Sequence, residues 1–305
     1  MTVQELIQRQ FDYSNITQWH DVGIKGSSVV VWNLESDSGH GRLTRSAILK
    51  VAPEATVLAY GLPTRVSRDQ LLEFSAFVDG NLIDVDNFIS ENKIKIINAS
   101  LIGDPCKGLT ERWGYLKKKY NLILVNSAGN DGEGDGETVS SKLPAEHAML
   151  IGASNLINNS PVRAYYSSVG KEVDFTNFTL WDSGTSFSAP YTVGMIAMLC
   201  QKYGDISHEE AYQILKRNSV DIGVEGVDSY HGWGIPKMPD INSKYITLTI
   251  GSNVMTVDGQ KMFLDTEPII DGNGRTLVPV RAIAEALGCE VGWIPSEQKV
   301  TITGV

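Results

Sequence analysis

The chain has 305 residues, 42% of them apolar and 20% charged, which leaves room for a large core and one small additional domain. Its formal charge of −10 argues against nucleic acid and anionic membrane as partners, because both reward clustered Lys and Arg. No apolar run reaches the length of a membrane span.

The first stretch, MTVQELIQRQFDYSNITQWHDVG, lacks the basic start, apolar run and small-residue cleavage site of a secretory signal. It reads as an amphipathic helix. From about residue 24 to 240, strand and helix patterns alternate. SSVVVWNL is a buried strand by its β-branched run, RLTRSAILKV a helix, and ATVLAYGL a strand that ends at a Gly and Pro break. RDQLLEFSAFV and LIDVDNFISEN both show helical periodicity. IKIINASL and NLILVNSAG are strands on either side of the helix GLTERWGYLKKKY, and HAMLIGAS is a further short strand. SAPYTVGMIAMLCQKYG is a long apolar helix, and SHEEAYQILKRNS is a helix capped by Ser207 or Asp205. Strands separated by helices predict a mostly parallel sheet flanked by helices, with functional sites at the carboxyl ends of its strands.

After HGWGIPKMPDIN the style changes. Residues 245–305 carry short alternating strands (YITLTIG, KVTITG), the turn pairs Asp258-Gly259 and Asp271-Gly272, and one helix, VPVRAIAEALG. This is a small α+β pattern, and the Pro-containing stretch 236–243 reads as the linker to it. The expected division is therefore 1–243 and 244–305. Cys106, Cys200 and Cys289 are odd in number and far apart, so neither a zinc site nor a disulfide framework is expected and a reducing compartment is the simplest reading. DGEGDGE at 131–137 fits no calcium-loop spacing and reads as a solvated acidic loop. No metal or cofactor is expected. His20, His147, His208 and His231 have no motif around them and read as structural or surface residues.

The chemistry concentrates in SGTSFSAPYTVGMIAML, residues 183–199. A small-residue turn there presents Ser186 at a helix start, where the positive end of the helix dipole favours a developing anion. Pro190 is taken to sit in the first helical turn, where proline is tolerated. Alone, Ser186 reads as an ordinary helix cap. The full stretch Gly184-Thr185-Ser186-Phe187-Ser188-Ala189-Pro190, however, resembles the nucleophile motif of subtilisin-like serine proteases. VNSAGNDG, residues 125–132, resembles the family segment whose Asn stabilises the oxyanion, a place held here by Asn130. IINASLIG, residues 96–103, is similar to the strand end that lines the substrate cleft; Ser100 and Gly103 match it, and Ile102 departs from the usual glycine. Gly129 joins them as a substrate-binding position. KLPAEHAMLIGASN, VRAYYSSVGKEVDF and HGWGIPK resemble later family segments.

Within that resemblance, His40-Gly41 before a helix and KVAPEATVLAY matches the general base. The family's acid ends a strand that GSSVVVWNLE matches without a gap, and the matching residue is Glu35 where the family has Asp. The long loop and helix between acid and base are missing. Three readings stay open: Glu35 is the acid; Asp37 has taken over; or the triad is defective and the chain is a pseudoenzyme that binds peptide or protein. The gap-free strand favours Glu35, since a triad is defined by roles rather than positions. On that reading Glu35 bonds one ring nitrogen of His40, the other faces Ser186 Oγ at roughly 2.6–3.2 Å or somewhat longer, and Asp37 reaches water.

The resemblance implies a serine endopeptidase of subtilisin-like α/β fold, acting on a protein or peptide substrate through an acyl-enzyme. Residues 244–305 resemble the copper amine oxidase N-terminal-like, or stalk, domain; despite that name they hold no metal-binding cluster. Such domains accompany surface or cell-wall proteins of Gram-positive bacteria, which implies contact with protein or cell surface. That setting and the missing secretory signal are reconciled by a phage-encoded protein released by lysis; a cytoplasmic place is the other expectation.

Overall fold

A computed structural model describes residues 1–61, 75–78, 81–101, 107–132, 137–141 and 143–304. In chain order the first part comprises α1 (Val3–Tyr13), α2 (Ile16–Asp21), β1 (Val30–Asn33), α3 (Gly39–Val51), β2 (Thr56–Ala59), β3 (Ser75–Val78), β4 (Asn81–Asp84), α4 (Val85–Glu91), β5 (Ile96–Ala99), α5 (Lys107–Tyr120), β6 (Ile123–Ser127), β7 (Met149–Ile157), β8 (Ser160–Arg163), β9 (Phe175–Phe178), α6 (Thr185–Tyr203) and α7 (His208–Arg217). Seven of these strands form one sheet in the order β2-β1-β5-β6-β7-β8, with β9 also paired to β7. The β1–β2, β1–β5, β5–β6, β6–β7 and β7–β9 pairs are parallel, and β7–β8 is antiparallel.

The local reasons are legible. Val31, Trp32 and Leu34 are fully buried along and just after β1, as expected of a strand covered on both faces. Trp32, Ile97 and Leu124 share one core cluster with Trp113 and Leu116 of α5 and Ile89 of α4. Helix α6 is buried nearly all round, with Ala189, Val193, Ile196 and Leu199 inaccessible to solvent, the condition of a helix inside a large core. Helix α7 begins at a Ser207 capping box with Glu210, which satisfies two otherwise orphaned N–H groups.

Several elements differ from the sequence expectation. The N-terminal helix is two helices, broken at Ser14 and at Asn15, whose φ of +60° no helix interior accommodates. Ser75–Val78 of RDQLLEFSAFV form a strand, and residues 68–74 lie outside the described residues. LIDVDNFISEN divides into β4 and α4, because the Asp84 carboxylate accepts the Asp86 and Asn87 N–H groups and so starts the helix there. Helix α3 starts at Gly39, which puts His40 in its first turn. Strands β8 and β9 had no sequence expectation.

The chain divides into two compact units, Met1–Gln201 with Ile206–Ile241, and Lys202–Asp205 with Asn242–Val305. The second holds a three-stranded antiparallel sheet, β12 (Ile246–Leu248), β13 (Val254–Val257) and β14 (Gln260–Phe263). It also holds the pairs β15 (Ile269–Ile270) with β16 (Thr276–Leu277) and β17 (Glu290–Ile294) with β18 (Lys299–Thr303), and α8 (Val280–Ala286). In the first unit, β10 (Ser219–Val220) pairs with β11 (Ile235–Pro236).

Candidate active site

The carboxyl ends of β1, β5 and β6 and the start of α6 supply the polar groups of one site. Glu35 lies two residues beyond β1, Ser100 follows β5, Asn130 follows β6, and Ser186 is the second residue of α6. Four residues separate Glu35 from His40, and the connecting loop turns tightly, with Ser38 N–H donating to Ser36 O at 2.7 Å. Only glycine fits at position 41: a Cβ there would collide with the Ser36 backbone and lie 2.8 Å from Glu35 Cβ. That close approach lets so short a loop bring Glu35 and His40 together.

His40 Nδ1 sits 2.5 Å from Glu35 Oε2. The carboxylate is buried, whereas the imidazole is about half exposed. The hydrogen bond to Glu35 holds the imidazolium form above its ordinary value, assisted by the charges of Glu35 and Asp182 and opposed by partial burial. Asp37 is exposed on the loop and is tied in through its backbone carbonyl, which accepts from Arg42 at 3.4 Å.

Ser186 is 9% exposed. Its Oγ donates to the Ser100 carbonyl at 3.4 Å, which leaves that proton turned away from His40. The His40 ring instead lies edge-on to Phe187, centroids 6.0 Å apart. Catalytic hydrogen bonds are often open without substrate. Pro190 is the sixth residue of α6, inside the helix rather than in its first turn. Its missing N–H leaves the Ser186 carbonyl without a helical donor, and the Ser100 hydroxyl fills that place at 3.0 Å.

Asn130 Oδ1 accepts Thr185 N–H at 2.8 Å and Thr185 Oγ1–H at 3.0 Å. Both donors face the amide oxygen, so the Asn130 Nδ2 group is left to donate elsewhere beside the α6 N-terminus. Gly129 has φ +110°, and a Cβ there would press within 2.7 Å of Ser168 Oγ. Gly129 N–H donates to Thr185 Oγ1 at 3.2 Å. Gly103 lies outside the described residues.

Sequence reasoning missed a buried polar chain behind these residues. Thr44 Oγ1 lies 3.2 Å from Glu35 Oε1, Asn33 Nδ2 donates to Thr44 Oγ1 at 3.0 Å and to Gly41 O at 3.2 Å, and Asn98 Nδ2 donates to Asn33 Oδ1 at 2.7 Å. The second Asn98 N–H reaches Ser100 Oγ at 3.1 Å. The signal that could have found it is Asn33 itself, a lone amide in the apolar run VVVWNL.

Three further histidines hold the framework. His20 Nε2 meets the Val51 carbonyl at 2.8 Å, and His208 Nδ1 accepts Leu124 N–H at 3.3 Å, with burial lowering the His208 pKa to about 3. His231 pairs with Asp228 at 3.2 Å. Among the described residues no group of three or more His, Cys, Asp or Glu is arranged to hold a metal, and no helix is long and apolar enough to cross a membrane. Residues 133–136 of the acidic loop lie outside the described residues.

Comparison with known proteins follows the same outline. Residues 12–234 match the model of the subtilase family, and residues 240–303 match that of the copper amine oxidase N-terminal domain. The minor extracellular protease Epr of Bacillus subtilis is 26% identical over 252 residues, 73% of this chain and 36% of Epr. The cell wall-associated protease of the same organism is 25% identical over 301 residues, 88% of this chain and 33% of that protein. The chain thus spans about a third of the length of these curated relatives. The crystal structure of a lanthipeptide protease superposes with a TM-score of 0.58 at 17% identity, covering 76% of this chain and 91% of the other; at that identity the likeness concerns the fold, a subtilisin-like α/β architecture.

Proposed function

This chain belongs to the subtilase family, and from that premise we propose that it is a serine endopeptidase in which Ser186 is the nucleophile, His40 the general base, Glu35 the acid and Asn130 an oxyanion donor. The observation that carries this reading is the 2.5 Å pairing of His40 Nδ1 with a buried Glu35 carboxylate. A proton held on Nδ1 by the carboxylate leaves the Nε2 lone pair as the base. Asp37 is the weaker candidate: an exposed carboxylate acts through water, where even a 4 Å pair is worth only about 1 kcal/mol.

Substrate displaces the Ser186 hydroxyl from the Ser100 carbonyl, and Oγ attacks the peptide carbonyl while its proton passes to His40 Nε2. The negative oxygen that forms meets the Asn130 Nδ2 group and the Ser186 N–H at the start of α6, where backbone donors have no helical partner. Glu35 balances the imidazolium. Collapse breaks the C–N bond, His40 hands its proton to the leaving amine, and the acyl-enzyme remains. Water, deprotonated by His40, then releases the acid product. Ser100 and Gly129 line the substrate cleft, and the substrate is protein or peptide. Residues 1–243 form the peptidase domain and 244–305 the stalk domain, which contacts protein or a cell surface.

A fluorophosphonate probe tests the reading directly. The expected result is covalent labelling of Ser186, lost in Ser186→Ala. A well-folded protein that neither labels nor cleaves peptides would instead support the second reading, a subtilase fold that binds peptide without cutting it, for which the Asp-to-Glu change is the one motive.

A further inference from the structure

We propose that Thr44, held in place by Asn33, is a positioning residue that aims the Glu35 carboxylate at His40; the inference rests on the assignment of Glu35 as the acid. A glutamate carries one more torsion than an aspartate, and its terminal torsion is broad. An acid anchored only through Oε2 would swing. Here the second oxygen, Oε1, is met by Thr44 Oγ1 at 3.2 Å, so both oxygens have a partner.

The direction of the Thr44 hydroxyl follows from counting donors. Thr44 has one proton and two acceptors within reach, Glu35 Oε1 at 3.2 Å and Gly41 O at 3.1 Å. Gly41 O already takes an Asn33 N–H at 3.2 Å, and the other Asn33 N–H is directed at the Thr44 oxygen at 3.0 Å. The Asn33 amide cannot be reversed, because its oxygen takes the Asn98 Nδ2 donor at 2.7 Å and reversal would set that oxygen against the Gly41 carbonyl. Of its two acceptors, the Thr44 proton goes to the charged carboxylate, the stronger one.

Burial adds weight. Asn33, Thr44 and Asn98 are all fully buried. An amide inside a strand of Val, Trp and Leu carries a desolvation cost that an apolar residue would avoid, and buried polar chains of this kind are stiff when their donors are used. The chain ends, through Asn98 and Ser100, on the Ser186 carbonyl. It thus ties the carboxylate and the nucleophile's backbone to the same two strands.

The test compares Thr44→Val, which keeps the shape and removes the hydroxyl, with Thr44→Ser, which keeps the hydroxyl and removes a methyl group. Each is assayed on the full chain below its melting transition. Thr44→Val is expected to lower kcat about tenfold, the scale on which outer partners of reacting groups act, with KM unchanged. Thr44→Ser stays within about twofold of wild type. The 15N shifts of the neutral His40 ring supply a readout independent of turnover: wild type and Thr44→Ser carry the proton on Nδ1, and Thr44→Val shifts population to the Nε2–H tautomer. If Thr44→Val does not fold, Thr44→Ala against Thr44→Ser isolates the same hydroxyl. A hydroxyl-free variant with wild-type kcat and tautomer, or a Thr44→Ser as impaired as Thr44→Val, overturns the proposal. A wild type that cuts no peptide overturns the catalytic reading instead, and the ring tautomers still decide this one.

Discussion

The carboxyl edge of the main sheet and the β-rich segment 242–304 are built on opposite terms. At the sheet edge even the polar side chains are buried: Asn33, Thr44, Asn98 and Ser100 are all closed to solvent, and most of their hydrogen-bonding groups are spent on one another. In 242–304, Met255, Leu264 and Ala284 are the buried residues among the described hydrophobics, whereas Phe263 is 82% and Trp293 50% exposed. The first region can hold a carboxylate to a fixed direction because its surroundings cannot yield. The second draws its order from short antiparallel pairs such as β17–β18, which hold backbones in register with little core beneath them.

The hardest blow to this contrast falls on Ser186. Ser186→Ala is expected to remove turnover by on the order of 10⁶-fold while leaving the melting temperature nearly unchanged, since Ser186 Oγ makes one long bond of 3.4 Å. Persistent cleavage by the purified variant would move the chemistry elsewhere. Glu35→Gln comes next, with kcat reduced by about two to four orders of magnitude as the imidazolium loses its counter-charge. Asp37→Asn costs less than about tenfold, and a reversal of those two results would transfer the acid's role to the loop.

A pH profile sharpens the electrostatic side. His40 must be neutral to act as base, and Glu35 raises its pKa above the ordinary 6.5. The acidic limb of kcat/KM is therefore expected above pH 6.5, and Glu35→Gln should move it to lower pH; a limb that stays put would separate His40 from Glu35. The same shift carries a stability sign. Pairing with protonated His40 favours the fold below the unfolded-state value and is lost as pH rises through the folded one, a small effect for a half-exposed ring. The mildest change expected is truncation after residue 243. It should leave peptide turnover within about twofold and the protein soluble, as assayed by gel filtration and kcat; aggregation would mean that 244–305 contributes to the main core.

Much of the fold was readable along the chain. The β-branched run before Asn33, the apolar helix through Met195 and the capped helix at Ser207 each carry their signal within a few residues. Where local signals compete, the reading failed. Leu82 and Ile83 fit a helix by periodicity, yet they pair with Phe77 and Ala76 as strand because Asp84 starts the helix after them. Pro190 read as a first-turn residue because nothing local reveals that a hydroxyl 86 residues upstream of Ser186 would replace the hydrogen bond that Pro190 cannot give to the Ser186 carbonyl.

The candidate site divides along the same line. By itself the sequence determined which residue types stand in which order, Glu35, His40, Asn130 and Ser186, because a motif is a local pattern and survives without its neighbours. Whether Glu35 or Asp37 meets His40, which way the Asn130 amide faces, and that Thr44 and Asn33 stand behind Glu35 were decided only by the tertiary structure. A hydrogen bond is set by distance and direction between atoms that the chain brings together from separate strands and helices, and burial decides which of those bonds must be made.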